Sequence, residues 1–451
     1  MEKKRGAFSN KLGFVLAAAG SAVGLGNLWR FPYLAAKYGG GIFILIYLIL
    51  AVTLGFTLMI TEVALGRNTR LSAVGAFKKL DKRFGFVGYL ACAVPFIITP
   101  YYSVIGGWVI KYLITFASGK VTAAAGDDYF TEFITEPAQP VVWFAVFVLL
   151  TSLIVIIGVE KGIEKASCTL MPILVVLTIG IAIFCITRPG ALEGVKYYLL
   201  PDFKHFSATT VLAAMGQLFY SMSLAMGIMI TYGSYMKKED SLEKSVRQIE
   251  VFDTAIAFFA GLMIVPSVFV FSGGNEEALS KGPSLMFITL PKVFDSMKMG
   301  GLIGSVFFIL VLFAALTSAI SLMETNVSIL NDKLKWGRRK TTIIVTIYVL
   351  IVGAVVSLGF GPLSFLQIIG MGLLDFFDFL SNSVLMPIVA ILTCISIGYF
   401  IKPQVIYDEI EVNGKFKMKK FYTVILKWIA PICLVLILLF AVSEALGWIK
   451  V

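Results

Sequence analysis

Histidine, cysteine and charged residues are scarce in this chain of 451 residues, and their scarcity excludes most catalytic chemistries. His205 is the only histidine and the five cysteines show no CxxC spacing, so the sequence indicates no histidine-based catalytic site, thiolate metal site or disulfide framework. Charged side chains make up only 14% of the residues, against about 25% in ordinary soluble domains. We therefore expect neither an enzyme nor an organic cofactor.

Apolar residues, in contrast, account for 58% of the chain and fall into runs long enough to cross a membrane. These runs cover nearly the whole sequence and leave no room for a soluble catalytic domain. The predicted fold class is all-α, a polytopic membrane protein of about eleven transmembrane helices. The predicted spans are residues 12–37, 41–66, 86–117, 140–158, 167–187, 209–236, 247–272, 297–331, 341–360, 375–400 and 421–446.

The net charge of +11 is explained by membrane topology, and nucleic acid is not expected as a partner. If the N-terminus is cytoplasmic, most lysines and arginines outside the spans fall in cytoplasmic segments, as the positive-inside rule requires. An odd number of spans then places the C-terminus outside. The lipid bilayer of the cell (inner) membrane is the expected surroundings of this multi-pass chain.

Spans one and six carry small and polar residues in their interiors, at residues 20–27 and 221–227. Backbone that leaves the helix at membrane depth must be buried in protein or line a cavity, so such interruptions point to a substrate or ion site. Gly20 and Gly24 alone would equally form a GxxxG packing face. Asn27, Arg30 and Pro32 in the same span favour a broken helix, because a packing face needs none of them.

The two interrupted spans are also the first members of two blocks of five spans. This arrangement predicts two inverted five-helix repeats whose broken helices, 1 and 6, face a shared site near the bilayer midplane. The chain would then form a single transmembrane transporter domain over residues 1–451. Its parts would be repeat one at about 12–187, repeat two at about 209–400 and an additional helix at about 421–446.

The motifs in these spans resemble those of the neurotransmitter:sodium symporter family, and in particular its bacterial amino-acid branch, which includes the bacterial leucine transporter. The resemblance extends over essentially the whole chain. It rests on residues 20–32, Gly39-Gly40-Gly41, Glu62 with Gly66-Arg67, Tyr101-Tyr102, residues 216–223, Leu316-Thr317-Ser318, and Asp375 with Asp378.

The resemblance implies two sodium ions bound by oxygen atoms, the ligands that suit a hard cation. The residues implied for the first sodium site are Ala22 through its carbonyl, Asn27, Ser221 and Asp253, with the substrate carboxylate as a further ligand. The residues implied for the second are Gly20, Val23 and Ala314 through their carbonyls, and Thr317 and Ser318 through their hydroxyls. Those two hydroxyls have an alternative interpretation as helix-packing groups bonded to their own backbone.

The resemblance also implies a site for an α-amino acid between the two sodium ions. The residues implied to contact this substrate are Ala22, Gly24, Leu25, Gly26, Ile98, Tyr102, Tyr220, Ser221, Ser223, Met226, Ser318 and Leu322. Amide groups near Leu25 and Gly26 and the Tyr102 hydroxyl would bind the substrate carboxylate. Met226 stands where many relatives have phenylalanine, and Ala225 where relatives often have glycine, which favours a large aliphatic or aromatic substrate.

Charged residues near the span ends match the gates of the family. Arg30 and Asp378 resemble the pair that closes the extracellular side, above an aromatic lid of Tyr102 and Tyr220. Arg5 and Asp332 match a cytoplasmic latch with Tyr235 and Glu324 near its base, and the sequence does not identify a partner for Glu324. Gly162 and Pro172 match a motif that lets span five unwind, or else they are an ordinary helix start and a tolerated proline.

The function implied is a sodium-coupled secondary active symporter that imports an apolar α-amino acid by alternating access. Chloride-dependent relatives carry asparagine in place of Asp253 and serine in place of Ala257, so we expect chloride-independent transport with proton counter-transport by the buried carboxylate. In the alternative interpretation, Asp253 neutralises Arg247. The alternative function is a sodium-gated amino-acid sensor or leak channel on the same scaffold.

Overall fold

The computed structural model describes residues 6–271 and 284–445, and the secondary structure of this part of the chain is helical. Nine of its helices are long and apolar enough to cross a membrane, and one bent pair of shorter helices adds a tenth span. The nine are Gly41–Thr69, Lys82–Ala117, Gln139–Ile157, Val159–Ile186, Leu242–Phe271, Gly300–Leu334, Arg338–Leu358, Leu373–Ile401 and Lys419–Ala445. They correspond to predicted spans two to five and seven to eleven.

Span one is the bent pair, formed by Lys11–Ala22 and Gly26–Lys37 with an angle of 53° between them. The helix ends because Val23 adopts an extended conformation (φ −73°, ψ 99°), which turns the chain out of the α-helical path. The second half opens with a wider π-helical turn, Gly26–Arg30, and such turns are frequent at functional sites.

Span six is also broken, and neither of its two halves is long enough to cross a membrane alone. Its helices are Ala208–Ser221 and Ile228–Gly233, separated by six non-helical residues. Within this linker Ser223, Ala225 and Gly227 all have positive φ values of 52°, 59° and 71°. Such a conformation costs roughly 1–2 kcal/mol for a residue with a side chain, so contacts from neighbouring spans must hold it.

Glu62 of span two supplies one of those contacts, because its Oε1 accepts the Ala225 amide hydrogen at 2.7 Å. The backbones of spans two and six are also in close contact, because a glycine of each span faces the backbone of the other. A Cβ atom added to Gly66 would lie 1.9 Å from the Ile230 carbonyl oxygen, and one added to Gly233 would lie 2.4 Å from that of Val63. The inner halves of these two spans therefore form one packed unit.

Short helices connect the spans outside the membrane. They are Ala73–Leu80, Val121–Ala124, Tyr129–Thr135, Ala191–Leu199, Leu290–Asp295 and Gln404–Glu411. The eleven predicted spans are thus found as nine continuous helices and two broken ones, with the two breaks where the sequence predicts them.

Candidate functional site

A buried pocket lies where the breaks of spans one and six face spans three and eight. Its lining includes every residue predicted to contact substrate except Ser221. The lining residues are Ser21, Ala22, Gly24, Leu25, Gly26, Ile98, Tyr102, Tyr220, Ser223, Met226, Ile228, Ser318 and Leu322. The cavity measures about 30 Å³, room for one or two water molecules, so the side chains must move apart to admit a larger ligand.

Two glycines of span one are required by the closeness of their neighbours. A Cβ atom on Gly24 would lie 2.6 Å from Ser318 Oγ and 3.1 Å from the Tyr102 hydroxyl, and one on Gly26 would lie 2.5 Å from the Tyr220 ring. The Tyr102 hydroxyl is in turn 3.4 Å from the Leu25 amide nitrogen. Amide and hydroxyl donors thus converge on one end of the pocket, an arrangement that suits a carboxylate.

A network of buried polar groups surrounds Asp253, which is fully shielded from solvent. Asn27 Nδ2 donates to Asp253 Oδ1 at 2.8 Å and to Ser221 Oγ at 3.0 Å. Ser221 Oγ donates to the same carboxylate oxygen at 2.8 Å, and the Tyr47 hydroxyl donates to the other at 3.1 Å. All three donors are neutral, so the charge of the carboxylate is solvated by dipoles alone.

Arg247 does not neutralise Asp253, so that alternative interpretation is wrong. Arg247 pairs with Glu243 at 3.0 Å and lies over the Phe56 ring. Within the described part of the chain no basic side chain forms an ion pair with Asp253. Since an uncompensated buried charge costs several kcal/mol, this carboxyl group needs either a cation beside it or a bound proton.

A second group of oxygen atoms converges between spans one and eight. Ser318 Oγ lies 3.4 Å from the Gly20 carbonyl oxygen and 3.4 Å from that of Val23, while Thr317 Oγ1 lies 3.1 Å from the Ala314 carbonyl oxygen. A Cβ atom on Gly20 would lie 3.1 Å from Thr317 Cβ, so this side chain also faces span one. Four of the five residues predicted for the second sodium site, Gly20, Val23, Thr317 and Ser318, are therefore close together, and Ala314 precedes Thr317 by one turn of the same helix.

The bonds of Thr317 remain within its own helix, as the packing alternative predicts for a hydroxyl. Ser318 differs, because its partners lie on the broken span. Among the described residues there is no group of three or more His, Cys, Asp and Glu side chains that could hold a metal ion. Neutral oxygens with at most one carboxylate are ligands for a hard monovalent cation rather than for a transition metal.

Arg30 and Asp378 have separate partners, and the structure of the described residues shows no direct ion pair between them. The Arg30 guanidinium is 5.0 Å from the centre of the Tyr220 ring. Asp378 Oδ1 accepts from the Tyr101 hydroxyl at 3.0 Å and from Asn382 Nδ2 at 2.6 Å. In this structure Arg30 therefore lies over the Tyr220 ring of the predicted aromatic lid. The gate role of Arg30 and Asp378 stays a prediction.

At the end of the bundle predicted to be cytoplasmic, Arg5 lies outside the described residues, so the predicted latch with Asp332 stays a prediction. Asp332 accepts the Ser72 amide hydrogen at 2.7 Å. Glu324, whose partner the sequence does not identify, is fully buried and forms an ion pair with Arg338. The Tyr235 hydroxyl also donates to Glu324, at 2.7 Å.

The start of span five contacts the chain that precedes span one. Gly162 lies in a π-helical turn, Val159–Glu164, and Pro172 lies within the following helix. Glu164 Oε2 accepts the Ser9 amide hydrogen at 2.8 Å. A Cβ atom on Gly13 would lie 2.0 Å from Glu164 Oε1, so this glycine makes room for the carboxylate.

Four residues in these clusters are not among those predicted from the sequence. Ser21 and Ile228 line the pocket, Tyr47 binds Asp253, and Ser321 Oγ donates to Ser21 Oγ at 2.7 Å. Ser21 and Ser321 could have been found from their positions beside predicted ligands on spans one and eight. Tyr47 lies in a continuous apolar run and gave no signal.

Together the broken spans, the pocket and the oxygen clusters define a multi-pass membrane transporter. The family model of the Sodium:neurotransmitter symporter family matches residues 5–139 and 131–447. The chain belongs to this family, so it is a sodium-dependent transporter and the resemblance seen in the sequence is confirmed.

Several relatives cover nearly the whole chain. An uncharacterised sodium-dependent transporter of Bacillus subtilis, YhdH, is 36% identical over 97% of this chain and 98% of its own length. An uncharacterised sodium-dependent transporter of Haemophilus influenzae is 32% identical over 96% of this chain and 98% of its own length. Among solved structures, MhsT in complex with L-phenylalanine matches with a TM-score of 0.88 and 38% identity, covering 97% of this chain and all of MhsT.

Proposed function

We propose that this protein imports a large aliphatic or aromatic α-amino acid together with two sodium ions, by alternating access. The observation that carries the proposal is the buried Asp253 carboxylate, which has no basic partner among the described residues. Asn27 joins it to Gly24 in the lining of the pocket between the two broken spans. A sodium ion would replace the neutral Asn27 Nδ2 donor beside this carboxylate and supply the positive charge that it lacks.

The pocket supports an apolar zwitterion as the substrate. Ile98, Met226, Ile228 and Leu322 supply apolar walls, and the lining contains no charged side chain. The substrate carboxylate would meet the Leu25 amide and the Tyr102 hydroxyl, and carbonyls freed in the two breaks would accept from its ammonium group. The complex of MhsT with L-phenylalanine supports the same class of substrate.

The Asp253 network supports chloride-independent transport. Two sodium ions beside a net-neutral zwitterion need a nearby negative charge, and a side-chain carboxylate supplies it without a bound anion. After sodium leaves on the cytoplasmic side, the buried carboxylate would bind a proton and carry it outward. The protein would act as one domain in the cell membrane, with the N-terminus cytoplasmic and the C-terminus outside.

The decisive experiment is uptake of radiolabelled leucine and phenylalanine into proteoliposomes with sodium outside. We expect accumulation above the external concentration, and none when potassium replaces sodium. Asn27→Ala and Thr317→Ala should each weaken sodium binding and, through linkage, amino-acid binding. Equal binding in sodium and in potassium would contradict the proposal, and sodium-dependent binding without uphill accumulation would favour the sensor or leak channel.

A further inference from the structure

A buried charge cluster joins three cytoplasmic segments at the inner end of span two. Arg67, the last basic residue of that span, is fully buried, and its Nε donates to Glu409 Oε1 at 2.7 Å. Glu409 lies on the helix Gln404–Glu411, which connects spans ten and eleven, and is only 2% exposed. Lys238 adds a second cation, with its Nζ 2.6 Å from Glu409 Oε2.

The loop between spans six and seven completes the cluster. Arg67 Nη1 donates to the Asp240 carbonyl at 2.6 Å, and Asn413 Nδ2 donates to the Glu239 carbonyl at 3.1 Å. Two cations on the side of spans two and six thus meet a single carboxylate on the connection between spans ten and eleven. A buried carboxylate with two cationic donors is costly to separate from them, because each is then left without its partner.

Continuous contacts link this cluster to the pocket. Glu62 holds the Ala225 amide in the break of span six, and Gly66, next to Arg67, packs against the Ile230 carbonyl. Because close-packed protein interiors deform little, a displacement of the break in span six should move Arg67 as well.

The other side of the cluster is tied to span three. The inner end of span ten is fixed there by Phe400, whose ring centre lies 5.1 Å from that of Phe84 at the start of span three and 5.5 Å from the Arg83 guanidinium. Any tilt of the inner unit of spans two and six relative to spans three and ten must therefore strain or break the bonds of Glu409.

We propose that Glu409 is a positioning residue that latches the cytoplasmic face closed, by holding the inner unit of spans two and six through Arg67 and Lys238. Its bonds break when that unit tilts to open the face. This latch lies beside span two and is separate from the predicted pair of Arg5 and Asp332. It rests on sodium-dependent transport by the family and not on the proposed substrate.

Glu411→Gln is the matched control for Glu409→Gln. Glu411 lies on the same helix, but its partner Lys419 is 39% exposed. Hydrogen bonding and charge from Lys419 lower the pKa of Glu411. Both substitutions remove one negative charge, but only Glu409→Gln removes the carboxylate that pairs with Arg67 and Lys238.

The test is hydrogen exchange of the full chain in nanodiscs, titrated with sodium against potassium without any amino acid. In the unmodified protein and in Glu411→Gln, sodium should protect residues 237–241 and 404–413. In Glu409→Gln we expect about fivefold faster exchange there and a sodium midpoint raised about fivefold, the lower end of typical coupling between sites.

An unchanged sodium midpoint in Glu409→Gln, with or without a loss of thermal stability, would overturn the latch and leave only a structural role. A similar shift in Glu411→Gln would overturn it as well. Should Glu409→Gln fail to fold, Lys238→Gln removes one of the two cations at a partly exposed position, and a midpoint equal to that of the unmodified protein would have the same meaning. Because no amino acid is added, failure here is distinguishable from failure of the proposed substrate.

Discussion

Replacing Asp253 with asparagine tests whether its carboxylate is the anion that balances sodium. Asparagine keeps one oxygen ligand and the approximate shape, so the main change is the loss of charge. Two unit charges about 4 Å apart interact by about 4 kcal/mol at an effective dielectric constant of about 20. If the remaining amide oxygen recovers about half of this, sodium should bind about 30-fold more weakly, since each 1.4 kcal/mol is a factor of about ten.

The chloride dependence should change together with the sodium affinity. The Tyr47 and Ser221 hydroxyls donate to the Asp253 carboxylate in this structure. Without the carboxylate they are free to donate to an anion, and Ala257→Ser adds a third hydroxyl one helical turn along. We therefore expect the double variant Asp253→Asn with Ala257→Ser to recover sodium affinity in chloride but not in gluconate.

The assay is sodium-dependent binding of radiolabelled phenylalanine in chloride and in gluconate at equal ionic strength. Glu243→Gln is the control, because it removes a carboxylate from the same span at its exposed end. The unmodified protein should titrate identically with both anions. A several-fold loss in gluconate, or an unchanged sodium midpoint in Asp253→Asn, would refute the reasoning.

Three further predictions follow from contacts in and around the pocket. Ala225→Gly removes a methyl group held at φ 59° and relieves roughly 1 kcal/mol of strain, so tryptophan should compete severalfold better against radiolabelled leucine; unchanged competition by all aromatic amino acids would contradict this. Thr317→Ala should raise the sodium midpoint about tenfold by removing one ligand. The control is Thr178→Ala, which removes a buried hydroxyl that bonds only the Leu174 carbonyl and should leave the midpoint unchanged. Equal shifts in the two variants would show a general packing effect. Glu324→Gln leaves Arg338 without its charge partner and should lower stability by about 1–3 kcal/mol, measured by thermal inactivation; Asp81→Asn, which breaks the exposed pair with Arg83, is the control and should cause no measurable change.

The sequence predicts the spans and their two breaks well, because both depend on local composition. Apolar runs define the helices. The glycines together with Asn27 mark a place where the membrane helix is interrupted, so that its backbone polar groups need partners elsewhere in the protein. The π-helical turns and the exact helix ends were not predictable, since their hydrogen bonds are decided by packing against other spans.

The pocket could be predicted only through the family resemblance, and its partners across the fold only in part. Arg338, the first residue of span nine, points its guanidinium toward Glu324 of span eight. No sequence pattern predicts this direction. Similarly, Tyr47 and Asp253 are 206 positions apart, and their hydrogen bond depends on how spans two and seven cross.

The glycines of the broken span also set where the protein can evolve. A side chain at position 24 or 26 would collide with Ser318 or Tyr220, and one at position 20 would contact Thr317 tightly; all three neighbours are residues predicted to bind substrate or sodium. The backbone of span one is therefore a fixed part of the pocket, with almost no sequence freedom. New substrate preferences must arise on the facing walls, at Ile98, Met226 and Leu322, where a change of side-chain volume alters the pocket and leaves the ion ligands in place.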